Sequence, residues 1–311
     1  METMENRRKR QRTMRILREN LTWYSFIIVT LLAIILLVYL PTVTTVLFSL
    51  SDVSLKGLET TFIGFHNYKV IFAMSSFWKS ILNTLGLAAL GLLTIPLGFL
   101  LANAINSLGK GPTQSFFRVA FYMPNIITGV SVILIFQIVL KGNNGILNSF
   151  LSLLVGQNVS IGWLSSSQYS WFGATILYIW SNLGYSMLMN LSSMQAIPSE
   201  LYEAASIDGA SRFQQMIHIT VPNMRACYVF LFVTGMISGL ARFTDLYIIG
   251  GNSASGKPGG TLQTILMFIF QYSFDSPQYG MSSAGAVVLF FLTLMFTLLN
   301  VKMTGMLKED K

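Results

Sequence analysis

The sequence predicts an all-α integral membrane protein with six transmembrane helices. Of its 311 residues, 53% are hydrophobic and only 10% are charged. A soluble domain carries about 25% charged residues, so this chain has too few charges to cover a water-facing surface. Apolar runs of the roughly 20 residues that a bilayer-crossing helix needs also recur along the chain. Lipid is therefore the predicted solvent of most of the molecule.

Six segments have the length and composition of a spanning helix. They cover residues 22–50, 80–106, 116–140, 172–196, 225–249 and 281–301. The first follows the basic run RRKRQR and could be taken for a secretion signal, but its apolar stretch is too long and no small-x-small cleavage site closes it. We interpret it as a retained anchor. The transmembrane domain then covers 22–305, between a basic segment at 1–21 and a tail at 306–311.

The distribution of Lys and Arg predicts the orientation. With both termini inside, fourteen basic residues lie on the cytoplasmic side and only five outside, at Lys56, Lys69, Lys79, Lys141 and Lys257. Basic residues concentrate in cytoplasmic loops, so both ends of the chain are expected in the cytoplasm. The net charge of +8 is then interpreted as attraction to membrane lipid, with no nucleic acid as a partner.

The loop that joins the fourth and fifth spans, at 198–223, is expected to begin with a short helix. Pro198 ends the span, and Ser199 is a candidate N-cap. The polar face of this helix is acidic, whereas helices that lie on lipid usually carry Lys and Arg there. Its narrow apolar stripe (Leu201, Ala204 and Ala205) includes two alanines, which would allow close approach. The helix therefore suits docking against another protein.

A second short helix is expected after a turn at Asp208 and Gly209, where glycine adopts positive φ without strain. Ser211 and Gln214 match a capping box, which marks a helix start. Pro222 is expected to end this helix before the fifth span. The loop is thus predicted to be two short helices that meet at a glycine.

The same loop resembles a known family. LYEAASIDGASRFQ, at 201–214, followed by ITVP, is similar to the EAA loop of permease subunits of bacterial ABC importers, in the carbohydrate-uptake version of the maltose and multiple-sugar permeases. Further segments follow that family's order: FIGFHNYKVIF, FFRVAFYMPNII, GILN, WL and Asp245 before a glycine-rich outer loop. The sequence departs from the usual pattern in ITVP, where Leu is common, and at Met224. Both changes keep an apolar residue.

The resemblance implies a function and a set of partners. In the family, the EAA loop is a coupling helix that inserts into a groove on a cytoplasmic ATPase. Carried over by position, the coupling residues are Glu203, Ala204, Ala205, Asp208 and Gly209, with Glu203 as the polar contact. The implied partners are a second six-span permease subunit, two ABC ATPase subunits, an extracytoplasmic solute-binding protein and a sugar, favoured as an oligosaccharide. The implied location is the bacterial cytoplasmic (inner) membrane.

One stretch imitates a nucleotide-binding loop. GNSASGKP, from Gly251 to Pro258, nearly matches G-x-x-x-x-G-K-[ST]. Pro258 replaces the hydroxyl residue that would hold Mg²⁺, no buried strand precedes the loop, and the predicted orientation places it outside. We therefore expect no cofactor and no enzymatic activity in this chain, with ATP bound by a separate subunit.

The spans contain polar residues that are candidates for a solute pathway. Aromatic rings and amides in the fourth span could hold a sugar by ring packing and directed hydrogen bonds, although amides also hydrogen-bond helices to one another. Two charges near the outer end of the fifth span could contact solute or simply pair as a helix-end ion pair. The candidates are Trp180, Asn182, Tyr185, Asn190, Arg242 and Asp245.

The outer loop at 141–170 contains the apolar run ILNSFLSLL, which predicts a short amphipathic helix on the membrane. The resemblance implies that this loop helps to seat the solute-binding protein.

Three alternatives remain open. Within the same class, the solute could be glycerol phosphate or a polyol, although a phosphate would favour more basic residues than Arg242 within the spans. A self-contained secondary carrier would need mid-span carboxylates, and only Asp245 approaches a span. A membrane-embedded enzyme would need a nucleophile with its base or a metal site, and neither His66 nor His218 has a second ligand at metal spacing.

Overall fold

A computed structural model describes residue 20 and residues 23–25, 27–54, 59–127 and 129–304. The predicted basic segment at 1–21, apart from Asn20, and the tail at 306–311 lie outside the described residues.

The described chain is mostly helical, as predicted, with one short hairpin that the sequence analysis did not predict. Strands β1 (Ser51–Ser54) and β2 (Glu59–Phe62) pair antiparallel, with Ser51 opposite Phe62. The helices, in chain order, are α1 (Trp23–Ser49), α2 (His66–Ala73), α3 (Ser75–Gly91), α4 (Thr94–Asn106), α5 (Pro112–Ile126), α6 (Gly129–Val139), α7 (Ile146–Val155), α8 (Ser170–Gln195), α9 (Ser199–Ile207), α10 (Arg212–Asn223), α11 (Arg225–Leu240), α12 (Thr244–Ile249), α13 (Ile265–Asp275) and α14 (Tyr279–Thr304).

The described residues contain three to five candidate membrane spans by length and composition. Helix α1, the α3–α4 segment (Ser75–Asn106) and most of α14 are each long and apolar enough to cross a bilayer. Two bent pairs qualify jointly: α5 with α6, bent by 97°, and α10 with α11, bent by 63°. Helix α8 has 26 residues, enough to cross a bilayer, but its polar side chains make it less apolar than these candidates.

Two predicted spans differ from the continuous helices expected at 116–140 and 225–249. In the first, Pro124 lies in the last turn of α5, and Ile127 is extended rather than helical. In the second, the helix ends at Leu240. There the carbonyl of Arg242 accepts a hydrogen bond from Thr264 Oγ1, at 2.9 Å. The interior of each predicted span therefore contains a break, and in the second a backbone carbonyl has a partner from a distant part of the chain.

Helix α8 lies at the centre of the packing. It contacts α4, where a Cβ on Gly98 would stand 2.4 Å from the hydroxyl oxygen of Ser186. Helices α3 and α11 approach as closely, since a Cβ on Gly239 would lie 2.8 Å from that of Ala88. Gly235 and Gly239, which have G-x-x-x-G spacing in the fifth predicted span, thus have a packing role.

Large apolar side chains cover much of the outer surface. None of the described residues of α1 before Ser49 is buried, and one flank of α14, around Phe290 and Phe291, is exposed. Exposed apolar surface of this extent marks a surface that meets lipid or another subunit rather than water.

Candidate functional site

The loop between α8 and α11 forms the predicted pair of short helices. Gly209 lies between α9 and α10 with φ at +77°, so the expected positive φ is confirmed. The capping box is also present. Ser211 Oγ accepts from the backbone N–H of Gln214 at 3.3 Å, and Gln214 Oε1 accepts from that of Ser211 at 2.7 Å. Local rules of helix termini therefore suffice to explain how α10 begins.

Two details of the loop differ from the prediction. The N-cap of α9 is Pro198, without a side-chain cap, and Ser199 is already helical. Pro222 does not end the second helix, because α10 continues to Asn223 and the break follows it. Pro222 lies in the first turn of the helical segment after a π-helical turn, a position where a missing N–H is tolerated.

Side-chain hydrogen bonds brace the two helices against each other. The hydroxyls of Tyr202 on α9 and Thr220 on α10 lie 2.9 Å apart. Gln215 donates from Nε2 to Ser206 Oγ at 2.9 Å and to the carbonyl of Ala210 at 3.2 Å. The angle between α9 and α10 is therefore held at both ends of the pair, and the loop can move as one piece.

The coupling residues implied by the resemblance are at the surface. Glu203, Ala204, Asp208 and Gly209 are exposed, and Ala205 is half-buried. Beside them lie exposed large apolar side chains that the described chain leaves uncovered: Leu201, Ile207 (87% exposed), Phe213 and Ile217. A surface that combines exposed apolar side chains with acidic groups is suited to contact with a protein.

A second candidate site is a cavity of about 190 Å³ between α4, α8 and α11. Asn182 and Tyr185 line it, together with Tyr178, which the sequence analysis did not single out. These three residues follow the i, i+4, i+7 spacing of one helix face, and that spacing is the signal that would have identified Tyr178. The other lining residues are Thr94, Ile95, Ser186, Leu231, Thr234, Gly235 and Ser238.

Two predicted pathway residues of α8 do not line this cavity. The ring of Trp180 lies 4.9 Å from that of Phe136 on α6, between centroids. Asn190 is fully buried and donates to the carbonyl of Ser186 at 2.8 Å, one turn back on its own helix. Trp180 is two residues from Tyr178 and Asn182, so the helix turns it to another face. The polar residues of the fourth predicted span thus divide between two faces.

Arg242 and Asp245 form the ion pair that their spacing predicts, across the break between α11 and α12. Arg242 Nε donates to Asp245 Oδ2 at 3.0 Å, and Nη2 donates to the same oxygen and to the carbonyl of Ala174, at 3.1 Å. The Arg242 side chain is only 3% exposed, and its guanidinium carbon lies 4.6 Å from the ring centroid of Tyr178. Arg242 and Asp245 therefore do not line the cavity themselves, but Arg242 contacts the ring of Tyr178, which does.

The loop that imitates a nucleotide-binding motif has a different geometry. Helix α12, not a strand, precedes it, and the next helix begins only at Ile265. Gly259 accepts a hydrogen bond through its carbonyl from Lys79 Nζ, at 2.7 Å. The loop is instead tied to α3 and lacks the strand–loop–helix order that binds phosphate.

Comparisons with known proteins cover most of the chain. Residues 94–306 match the family described as "binding-protein-dependent transport system inner membrane component". The chain is 30% identical to the trehalose/maltose transport system permease protein of Thermococcus litoralis, over 94% of this chain and 96% of that one. It is 28% identical to the multiple sugar-binding transport system permease protein of Streptococcus mutans, over 90% of this chain and 94% of that one.

The fold has a solved counterpart. A chain of a bacterial ABC transporter involved in the import of the acidic polysaccharide alginate superposes with a TM-score of 0.79 and 21% identity, over 96% of this chain and all of that one. At that identity the likeness concerns the fold. The family match and the two permease relatives confirm the resemblance that the EAA loop indicated. The chain belongs to the family of inner membrane components of binding-protein-dependent transport systems, and is a transport subunit rather than an enzyme.

Proposed function

We propose that this chain is one of two membrane subunits of an ATP-driven importer for a sugar, with an oligosaccharide as the favoured solute. The relatives described above are named for transport of trehalose, maltose and multiple sugars. In this proposal six segments cross the membrane, α8 included, and both termini lie in the cytoplasm. A binding protein delivers the solute on the outer side, and two ATPase subunits, which bind the ATP, act from the inner side.

The observation that carries the proposal is the braced helix pair α9–α10. It is held to a fixed shape by the Tyr202–Thr220 and Gln215–Ser206 contacts, yet exposes Ile207 and Glu203. A rigid projection with an apolar tip can transmit a movement of a docked partner, because little of the movement is lost in bending of the loop. We assign it to the ATPase, with Glu203 as the charged contact.

The cavity between α4, α8 and α11 has side chains of the kinds that bind sugars. Its rings (Tyr178 and Tyr185) can pack on the faces of a sugar, and Asn182 and the nearby hydroxyls can hydrogen-bond its substituents. At about 190 Å³ it is smaller than the roughly 300–1,000 Å³ of common ligand pockets. One chain therefore supplies part of the pathway wall, and a second six-span subunit supplies the rest.

The charge near this cavity favours a neutral solute over a phosphate ester. Arg242 is the basic residue beside the cavity, and Asp245 already pairs with it. A neutralised guanidinium attracts an anion weakly. Glycerol phosphate is therefore a less suitable solute than an uncharged sugar.

The test of the coupling role uses two substitutions in the loop. Gly209→Val strains a φ of +77° by about 1–2 kcal/mol, and Glu203→Lys reverses a charge at the surface that we assign to the ATPase. We expect both variants to insert in the membrane, to retain less ATPase on co-purification, and to lose the stimulation of ATP hydrolysis by loaded binding protein.

Gly156→Val is the matched control. Gly156 has φ at +69°, and a Cβ at either glycine would meet no atom within 4 Å. The two valine variants thus carry similar backbone strain, but in the proposed topology they lie on opposite sides of the membrane. Normal docking and normal stimulation in both loop variants would refute the coupling role. An equal loss of co-purified ATPase in Gly156→Val would also refute it; stimulation is not compared there, because Gly156 lies in the outer loop implied to seat the binding protein.

A further inference from the structure

Helix α7 is clamped to the rest of the chain by one buried amide. Asn148 is 1% exposed, and its Nδ2 donates to the carbonyls of Gly142 at 2.7 Å and Ile161 at 2.9 Å. Its Oδ1 accepts from Trp163 Nε1 at 2.8 Å. A buried amide with its donors and acceptor satisfied fixes both the position and the rotation of the helix. The face of α7 that points outward is therefore determined by the fold.

That outward face is apolar. Ile146, Phe150, Leu153 and Leu154 are all more than half exposed, and Leu153 reaches 83%. Leu147 and Leu151, on the neighbouring flank of the helix, pack against the cluster around Val132 and Trp163. Residues 146–155 include no charged side chain. An apolar face needs an apolar environment, and the described part of the chain leaves this one uncovered.

The size of this face argues for lipid as its occupant. Ten residues make a helix about 15 Å long and about 10 Å wide, whereas a stable protein interface buries about 800 Å² on each partner. An exposed face of this size, without a charged rim, is small for a docked protein. A lipid surface makes no such demand, because each side chain that enters the acyl boundary contributes separately.

Helix α7 also follows closely after a membrane segment whose surface is apolar. Residues 140–145 join α7 directly to α6, whose Val130, Leu134 and Ile138 are exposed. Helix α6 belongs to one of the bent pairs that qualify as a membrane span. In a chain of an inner membrane family, lipid or another membrane subunit covers the exposed apolar side of such a segment, and we assign lipid to it here. The membrane segment therefore ends only six residues before α7 begins, which places α7 near a membrane surface.

We propose that α7 is an interfacial lipid-binding helix, which inserts Ile146, Phe150, Leu153 and Leu154 into the headgroup–acyl boundary of the bilayer. Through the Asn148 clamp, the bilayer surface then fixes the position of Gly142. Gly142 lines an open groove of about 630 Å³ together with Lys141 and Lys257. The helix thus holds one edge of this groove at a set height above the membrane. The inference depends on the membrane location and not on which solute is carried.

The test measures which medium surrounds the helix. A nitroxide label is attached at Leu153→Cys or Phe150→Cys in a Cys227→Ala background, which removes the chain's one cysteine. The protein is reconstituted in phosphatidylethanolamine–phosphatidylglycerol vesicles. Collision rates of the label with oxygen, which concentrates in lipid, and with a water-soluble nickel chelate are then compared. Gln157→Cys, an exposed polar position just beyond the helix, is the matched control.

We expect the ratio of oxygen to nickel collision rates to be several-fold higher at Leu153 and Phe150 than at Gln157. Addition of loaded binding protein should leave the ratio at both helix positions unchanged. Ratios equal to that at Gln157 would overturn the proposal, since they would show water around the helix. A fall of both collision rates on addition of binding protein would also overturn it, because the face would then be a protein-docking surface.

Discussion

Replacing one member of the Arg242–Asp245 pair should destabilise the protein more than replacing both. The substitution Arg242→Gln removes the positive charge that pairs with Asp245 and lies beside the Tyr178 ring, and it removes the Nη2 donor to the carbonyl of Ala174. Asp245→Asn instead leaves the guanidinium without its anion. The double variant places two neutral amides at the same positions, where they can hydrogen-bond to each other.

The burial of the two partners sets the order of the effects. Removal of one member of a buried ion pair costs about 3–5 kcal/mol, mainly because the other charge stays buried and unpaired. The Arg242 side chain is 3% exposed and that of Asp245 is 21% exposed. We therefore expect about 4 kcal/mol for Asp245→Asn, which strands the deeper charge, and about 3 kcal/mol for Arg242→Gln. The double variant should lose only about 1 kcal/mol.

Thermal unfolding of the purified chain in detergent measures this order. At about 2–4 °C for each kcal/mol, Asp245→Asn and Arg242→Gln should unfold roughly 6–15 °C below wild type, and the double variant within a few degrees of it. Arg118→Gln is the matched control, because Arg118 donates to the neutral Gln114 at 3.0 Å and leaves no carboxylate behind. A double variant less stable than either single variant would refute the reasoning, because the two charges would then act independently.

Three further outcomes are expected. A reporter that is active only outside the cytoplasm should stay silent when fused after Lys311, and activity there would contradict the proposed orientation. Tyr185→Ala should reduce sugar uptake by the assembled complex more than Trp180→Ala, because only Tyr185 lines the cavity; equal uptake by both variants would place the pathway elsewhere. Gly184→Val should block folding of the chain in the membrane, measured as loss of the monodisperse protein, because a Cβ at Gly184 would overlap the carbonyl oxygen of Phe121; normal yield would contradict that packing.

Local chemistry made the α9–α10 loop predictable. The capping box at Ser211 and the positive φ at Gly209 depend on residues within four positions of each other, so the sequence contains the whole cause. The Arg242–Asp245 pair was predictable for the same reason. The errors at Ser199 and Pro222 were small shifts of helix ends, where competing hydrogen bonds differ little in free energy.

The features that sequence reasoning missed depend on residues far apart in the chain. The break after Leu240 involves a hydrogen bond from Thr264, and the exclusion of Trp180 from the cavity involves Phe136 on another helix. Hydropathy reports how apolar a segment is, and it contains no information about contacts with distant residues. It therefore predicts that a segment is helical and apolar better than it predicts where the helix bends.

The glycine contacts between helices have a consequence for how the molecule can move. Gly98 against Ser186, Gly239 against Ala88 and Gly184 against the backbone of Phe121 bring helices so close that there is no room for a side chain between them. A sliding displacement at any of these contacts would drive a neighbouring Cβ or carbonyl into backbone atoms. The contact of Gly86 with the ring of Trp171 joins α3 to α8, so α3, α4, α5, α8 and α11 are expected to move as a single rigid body. In the proposed importer, a change of access from one side of the membrane to the other then requires movement where this body meets another subunit.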